Sequence, residues 1–284
     1  MNGVPRILAS GFGYLEAARW RDGGLYFSDV KERKVFRMAS DGSYAVVLEL
    51  PQRPSGLGWT TAGDLLVVGM EDNSLKRVGA GGDIRASLDL SGHAIHTNDM
   101  TVDARGNAYV TQFGYDLFEH APPEPSDIVR IDEAGNVAHF GGGLVFPNGI
   151  VIAPDGKTLV VAESFSHRLT AFDVAPDGGL SNQRLFAQFG DPERDIPDGI
   201  CMDSAGAVWA AMPFAGEFRR VLDGGTVTDR ITPAPGAGTY CVDCILGGKD
   251  GRTLFMLVAD TDVERLGNDW DSSASVQAVE VAIP

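Results

Sequence analysis

Short apolar runs separated by turn residues recur along the whole chain, and no long stretch carries the 3.6-residue apolar period of an amphipathic helix. Leu25–Asp29 and Lys34–Arg37 read as two strands joined by a turn. The arrangement returns as Leu65–Val68 with Leu75–Val78, Ala108–Thr111 with Ile128–Ile131, and Leu159–Ala162 with Leu169–Phe172. Val208–Ala211 with Phe218–Val221 and Leu254–Leu257 with Val276–Val279 complete six copies. Segments such as Ala45–Leu48 and Gln183–Phe186 supply a further strand per unit. Six units in 284 residues give about 47 each, near the length of a four-stranded propeller blade. A blade cannot bury both of its faces alone, so the six are expected to stack around an axis. The pattern predicts an all-β, six-bladed β-propeller with four-stranded blades over residues 1–284 as one domain, with Val4–Ala9 closing the ring on the last blade.

One motif keeps phase with these units. Phe146-Pro147-Asn148-Gly149-Ile150 is repeated as Ile196-Pro197-Asp198-Gly199-Ile200, 50 residues later (198 − 148). The same step backwards (148 − 98) reaches Asn98, followed by Asp99. Proline fixes the backbone ahead of the oxygen-bearing side chain, and glycine allows a close approach after it. Glu16 is the equivalent acid of the first unit, whereas the second offers only Pro54-Ser55-Gly56. Asn-Gly and Asp-Gly taken singly are ordinary turn residues. Taken in phase, they begin the innermost strands, which line the central channel of a propeller, and so converge on one mouth. Glu16, Asn148 and Asp198, with Asn98 beside them, form an all-oxygen set suited to one hard divalent cation: Ca²⁺, Mg²⁺ or Mn²⁺, with Zn²⁺ also accommodated. His96, two residues before Asn98, is expected on the same strand face and near the substrate. The long insertion 112–126, with Phe113, Tyr115 and Phe118, is expected to form a wall or lid over the mouth.

Composition narrows the partners. A net charge of −16 with no basic cluster argues against nucleic-acid phosphate and against an anionic membrane surface. Three cysteines do not make a disulfide framework. Cys241-Val-Asp-Cys244 has a zinc-knuckle spacing but no second pair, and reads as strand packing. Met1–Leu8 lacks the apolar core of a signal peptide and Leu254–Ala259 is far too short to span a bilayer, so a cytoplasmic protein is expected. No Gly-x-Ser-x-Gly elbow, phosphate-binding glycine loop or His-Glu-x-x-His occurs. His120, His139 and His167 read as surface or turn residues.

Leu15-Glu16-Ala17-Ala18-Arg19-Trp20, Asn98-Asp99, Phe146-Pro147-Asn148-Gly149 and Pro197-Asp198-Gly199 together resemble the motifs of the gluconolactonase, regucalcin (senescence marker protein) and luciferin-regenerating-enzyme family. The similarity runs from about residue 6 to the end, including Leu246–Phe255 in the last unit. The resemblance implies a six-bladed propeller with one axial divalent metal and hydrolysis of a small-molecule lactone, typically of a sugar acid. It implies Glu16, Asn148 and Asp198 as metal ligands, Asp198 also as proton donor and acceptor, and Asn98 and Asp116 as substrate contacts. Asp99 is a second candidate base, expected rather to support Asn98. His96 stands where sugar-lactone members often carry arginine, and Met100 where glycine often follows the Asn-Asp pair. Histidine cannot reproduce a guanidinium fork, which predicts a substrate less hydroxylated than glucono-δ-lactone. Two alternatives are an esterase or phosphotriesterase of the same fold and a non-catalytic propeller that binds a partner.

Overall fold

The computed structural model describes residues 3–117, 119, 121–236, 238–267 and 270–284. Its strands form six sheets of four, arranged as the blades of a β-propeller. The innermost strands are Leu15–Arg21, Pro54–Trp59, Thr97–Val102, Pro147–Ile152, Ile200–Met202 and Tyr240–Gly247. Each touches the next, and the first also touches the last, so the ring is closed. Closure is made by Arg6–Phe12, which pairs antiparallel with Ser273–Glu280 as the outer strand of blade six. Every other blade runs outward in chain order.

Packing follows from the alternation along the strands. Second strands such as Leu65–Gly69 and Val208–Met212 are buried throughout, whereas outer strands such as Ile84–Asp89 are largely exposed. Among the described residues, five of the six hydrophobic clusters each span the seam between two consecutive blades, and the sixth joins blades six and one and reaches Met70, Phe113 and Tyr115. Leu57 and Val67 pack with Val35 and Leu48 across the first seam, and Phe172 and Leu159 with Tyr109 and Ile128 across the third. Stacking is thus what gives each sheet its second buried face. Cys201, Cys241 and Cys244 are free and buried, with the Cys201 and Cys244 sulfurs 3.9 Å apart across a seam, so they serve packing.

The innermost strands share one irregularity. Asn98 and Asp99 bulge between the pairs Thr97↔Gln112 and Met100↔Val110, and Asn148 and Gly149 between Pro147↔Glu163 and Ile150↔Val161. Ser55 and Gly56 do the same in blade two, Ala17 and Ala18 in blade one, and Val242 in blade six. A bulge bends its strand and re-aims the side chains on it. In the third and fourth blades it turns the motif residue onto the axis. Gly149 is required there, because a Cβ on it would lie 2.6 Å from the Asp198 carbonyl oxygen.

Among the described residues no helix is long and apolar enough to cross a membrane. Phe118 and His120 lie outside the described residues.

The seam packing leads to a testable expectation. Phe172 is 1% exposed between blades three and four, so Phe172→Ala should cost about 3–5 kcal/mol, read as a lower urea midpoint with an unchanged m-value.

Candidate active site

A cavity of about 560 Å³ opens at one end of the channel. Glu16, Asn98, Asn148, Ser164 and Asp198 are its acidic, amide and hydroxyl lining, contributed by blades one, three, four and five. Asn98 Nδ2 donates to Asn148 Oδ1 at 3.0 Å, and Asn148 Nδ2 to Ser164 Oγ at 3.3 Å. Ser164 in turn donates to the Pro197 carbonyl at 2.7 Å, holding the segment that carries Asp198. The Asp198 backbone continues the blade-five ladder, its N–H donating to the Ala211 carbonyl at 3.0 Å. The Asp198 side chain is treated differently. Its Oδ1 is buried and has no hydrogen-bond partner.

Beneath this tier lies a second one. Asp99 of blade three and Asp243 of blade six face the axis with Arg19 of blade one between them. Arg19 Nη2 is 2.6 Å from Asp99 Oδ1, and Nη1 is 3.9 Å from Asp243 Oδ2. Arg19 also donates to the carbonyls of Leu57 and Ala18, at 3.1 and 2.8 Å. Asp243 accepts the Ala18 N–H at 2.6 Å and its own neighbour's, that of Cys244, at 2.7 Å. Gly199 leaves room for this carboxylate, since a Cβ there would fall 2.0 Å from Asp243 Oδ1. Asp99 is thus engaged by Arg19, whereas Glu16 and Asp198 have no ion-pair partner among the described residues.

Electrostatics follow from that imbalance. Burial first, then the charges of Asp198, Asp243 and Asp99, hold the Glu16 carboxyl well above the usual carboxylate range. Burial, then Asp243 and Asp99, does the same to Asp198. Burial and Asp99 push Asp243 up to about 7 in spite of Arg19. The phenols of Tyr14 and Tyr240, also lining the cavity, are raised by burial and then by Glu16 and Asp198, so both remain hydroxyl donors.

A divalent cation fits this floor. Among the described residues no three His, Cys, Asp or Glu side chains gather as a metal centre. The donor set is instead two carboxylates completed by amide oxygens, and it includes a buried oxygen with nothing to accept. Such a set matches the hard oxygen ligands of Ca²⁺-type ions.

The cavity brings together four of the residues singled out from the sequence: Glu16, Asn98, Asn148 and Asp198. His96 and Asp116, expected at the substrate, are paired with each other instead, Nε2 to Oδ1 at 3.0 Å, and neither lines the cavity. His96 adopts a left-handed backbone, φ 53°, just before its strand. That breaks the two-residue alternation on which the shared face was inferred. The 112–126 insertion does supply a wall, through Phe113 and Leu117. The opposite wall was not anticipated. It comes from the connection after Thr253–Asp260, where the short helix Val263–Gly267 and Trp270 lean over the mouth. Phe165, Phe214 and Tyr240 were missed too, and the one available signal was their position just beyond a strand end or at a strand start, at the same end of the blades as the motif.

Comparison with known proteins finds relatives of one family and neighbours of the same fold. The SMP-30/Gluconolactonase/LRE-like region matches residues 15–260. An L-arabinolactonase of Azospirillum brasilense is 26% identical over 231 residues, covering 80% of this chain and 75% of that protein. A solved luciferin-regenerating enzyme superposes with a TM-score of 0.81 at 15% identity, covering 99% of this chain and 96% of that one. A calcium-binding regucalcin from Agrobacterium tumefaciens superposes with a TM-score of 0.78 at 18% identity and the same coverage.

Two outcomes test the charge arrangement. Arg19→Met leaves Asp99 and Asp243 without their cation and should cost about 3–5 kcal/mol in chemical denaturation. Glu16→Gln removes one half-buried acid that has no counter-charge and should raise the Tm of chelator-treated protein by at least about 2 °C. The gain should be larger at pH 8 than at pH 5. A carboxyl held above its ordinary pKa loses no stability while folded and unfolded states are both protonated, and loses it as pH rises towards the folded value.

Proposed function

This chain belongs to the SMP-30/gluconolactonase/LRE-like family, and from that membership we propose that it is a lactonase, hydrolysing a small cyclic ester at a divalent cation held by Glu16, Asn148 and Asp198. The observation that carries the metal-dependent reading is the pairing of an unpartnered, buried Asp198 Oδ1 with a second, half-buried acid, Glu16, on one cavity floor. Burying two like charges without a counter-charge is costly, and a cation is the partner that removes the cost. The name of the L-arabinolactonase relative supports the reaction, and the calcium-binding regucalcin neighbour supports the cofactor class.

When bound, the cation would act as a Lewis acid on the lactone carbonyl and offset the charge that grows on its oxygen. The protein's own groups supply the rest. Asn98, held by Asn148 and within 3.5 Å of Ser55 Oγ, presents an amide to the substrate beside the floor. Asp198 takes a proton from the attacking water as its oxygen bonds to the acyl carbon. The ring C–O bond breaks, and Asp198 returns the proton to the departing alkoxide, giving a hydroxy acid. Tyr14 and Tyr240, held protonated, are available as donors at the same level. The close walls exclude bulk water from the floor.

Proton release from a lactone panel, before and after exhaustive chelation, tests the reading: activity should vanish with the metal and return with added Ca²⁺, Mn²⁺ or Zn²⁺. Full activity in metal-free protein would overturn it. Asp198→Asn keeps an oxygen but loses the base, so kcat should fall about 10²–10⁴-fold and stay low at saturating metal. Asn148→Ala loses only a neutral ligand, and added metal should recover part of its activity.

A further inference from the structure

The acidic and amide side chains of the cavity are confined to its floor. Above Glu16, Asn148 and Asp198 the enclosure is aromatic and aliphatic. Phe146 stacks against Phe113 and Phe165, with ring centroids 4.8 and 4.5 Å away, and Phe214 meets Tyr240 edge-on at 5.5 Å. Trp270 meets Tyr14 at 5.1 Å, beside Leu266 of the short helix. The arginine at the wall, Arg53, is already bound to Glu71 and lies over the Trp270 ring, 5.6 Å from its centroid. Asn98, Asn148 and Ser164 hydrogen-bond to one another or to the backbone. A polyhydroxylated ring would therefore meet the phenols, the occupied floor and the engaged Arg53, and otherwise aromatic and aliphatic walls.

A second observation points the same way. Phe165, Phe214 and Val263 are 42, 39 and 59% exposed, and all three stand on this one cavity. Leaving large apolar side chains in water around a single opening is the mark of a surface meant to be covered by an apolar ligand. The room available, about 560 Å³, lies within the range of pockets for drug-sized molecules and exceeds what a bare five- or six-membered lactone ring needs.

We infer that the substrate is a lactone carrying an alkyl or aryl substituent, its ester group on the floor and its apolar side group between Phe146, Phe165, Phe214 and Trp270. The inference rests on the lactonase reading and adds the substrate class to it. Each methylene buried against these rings should raise kcat/KM about threefold to fourfold, until the cavity is filled. A hydroxyl brought to the same walls loses its water without gaining a partner.

The test compares γ-nonalactone, γ-butyrolactone and glucono-δ-lactone on the metal-loaded full chain by proton release. It also measures calorimetric binding of a pentyl-substituted cyclopentanone, the non-hydrolysable carbon analogue of γ-nonalactone. The expected result is a kcat/KM for γ-nonalactone at least about 100-fold above that for glucono-δ-lactone. Ketone binding should show a negative heat-capacity change. Phe214→Ser and Phe165→Ser, at half-exposed positions that should not compromise folding, should each lower the γ-nonalactone to glucono-δ-lactone ratio about tenfold, mostly through KM. If glucono-δ-lactone is turned over as well as γ-nonalactone, the substrate class is wrong while the lactonase reading stands. If no lactone is hydrolysed, the lactonase reading fails and binding decides the rest. Ketone binding weakened by Phe214→Ser supports an apolar ligand in this cavity, and no binding overturns it.

Discussion

Asp99, Asp198 and Asp243 are buried around one axis with Glu16 half-buried beside them, and Arg19 is the only guanidinium set against these four carboxylates among the described residues. Their arrangement divides the axis into two tiers with different jobs. In the lower tier Arg19 and backbone N–H groups satisfy Asp99 and Asp243, so that tier is complete within the protein. The upper tier is left with two acids and no counter-charge. Crowding at the axis enforces the separation, because Gly149 and Gly199 have no space for a Cβ. A fold held together by apolar seams between all of its blades can carry this local cost.

Much of this was legible in the sequence. The blades could be read because short apolar runs recur between turns that mostly carry Asp or Gly, and both signals are local. Asn98, Asn148 and Asp198 could be read because a 50-residue phase survives in them. What could not be read depended on contacts between blades or on broken periodicity. His96 and Phe146 occupy corresponding positions with the same left-handed backbone, φ 53° and 52°. Yet His96 turns to Asp116 while Phe146 enters the cavity wall. Asp243 escaped notice for a related reason: the extra residue Val242 shifts its register, so phase counting does not find it.

The floor and the walls have different origins in the chain. The floor acids and amides sit on or directly beside innermost strands, where the ladder fixes their positions. Most wall residues sit on connections: the 112–126 insertion, the turn after Thr158–Glu163 and the short helix of blade six, with Tyr240 on an innermost strand. Chemistry built on strands and selectivity built on loops can vary independently. One propeller floor can therefore serve lactones of very different polarity.

The strand Arg6–Phe12 completes blade six by pairing with Ser273–Glu280. During synthesis it emerges before the blades it closes and must wait until Ser273–Glu280 has been made. Until then blade one stands without its neighbour, and Phe12, Tyr14 and Leu15 lack Leu257 and Val276 to pack against. Glu16 comes from one end of the chain and Tyr240 and Trp270 from the other, so the cavity cannot be assembled on the ribosome from any N-terminal fragment. Joining of the two ends is the step that makes a folded ring and, at the same moment, a site able to bind.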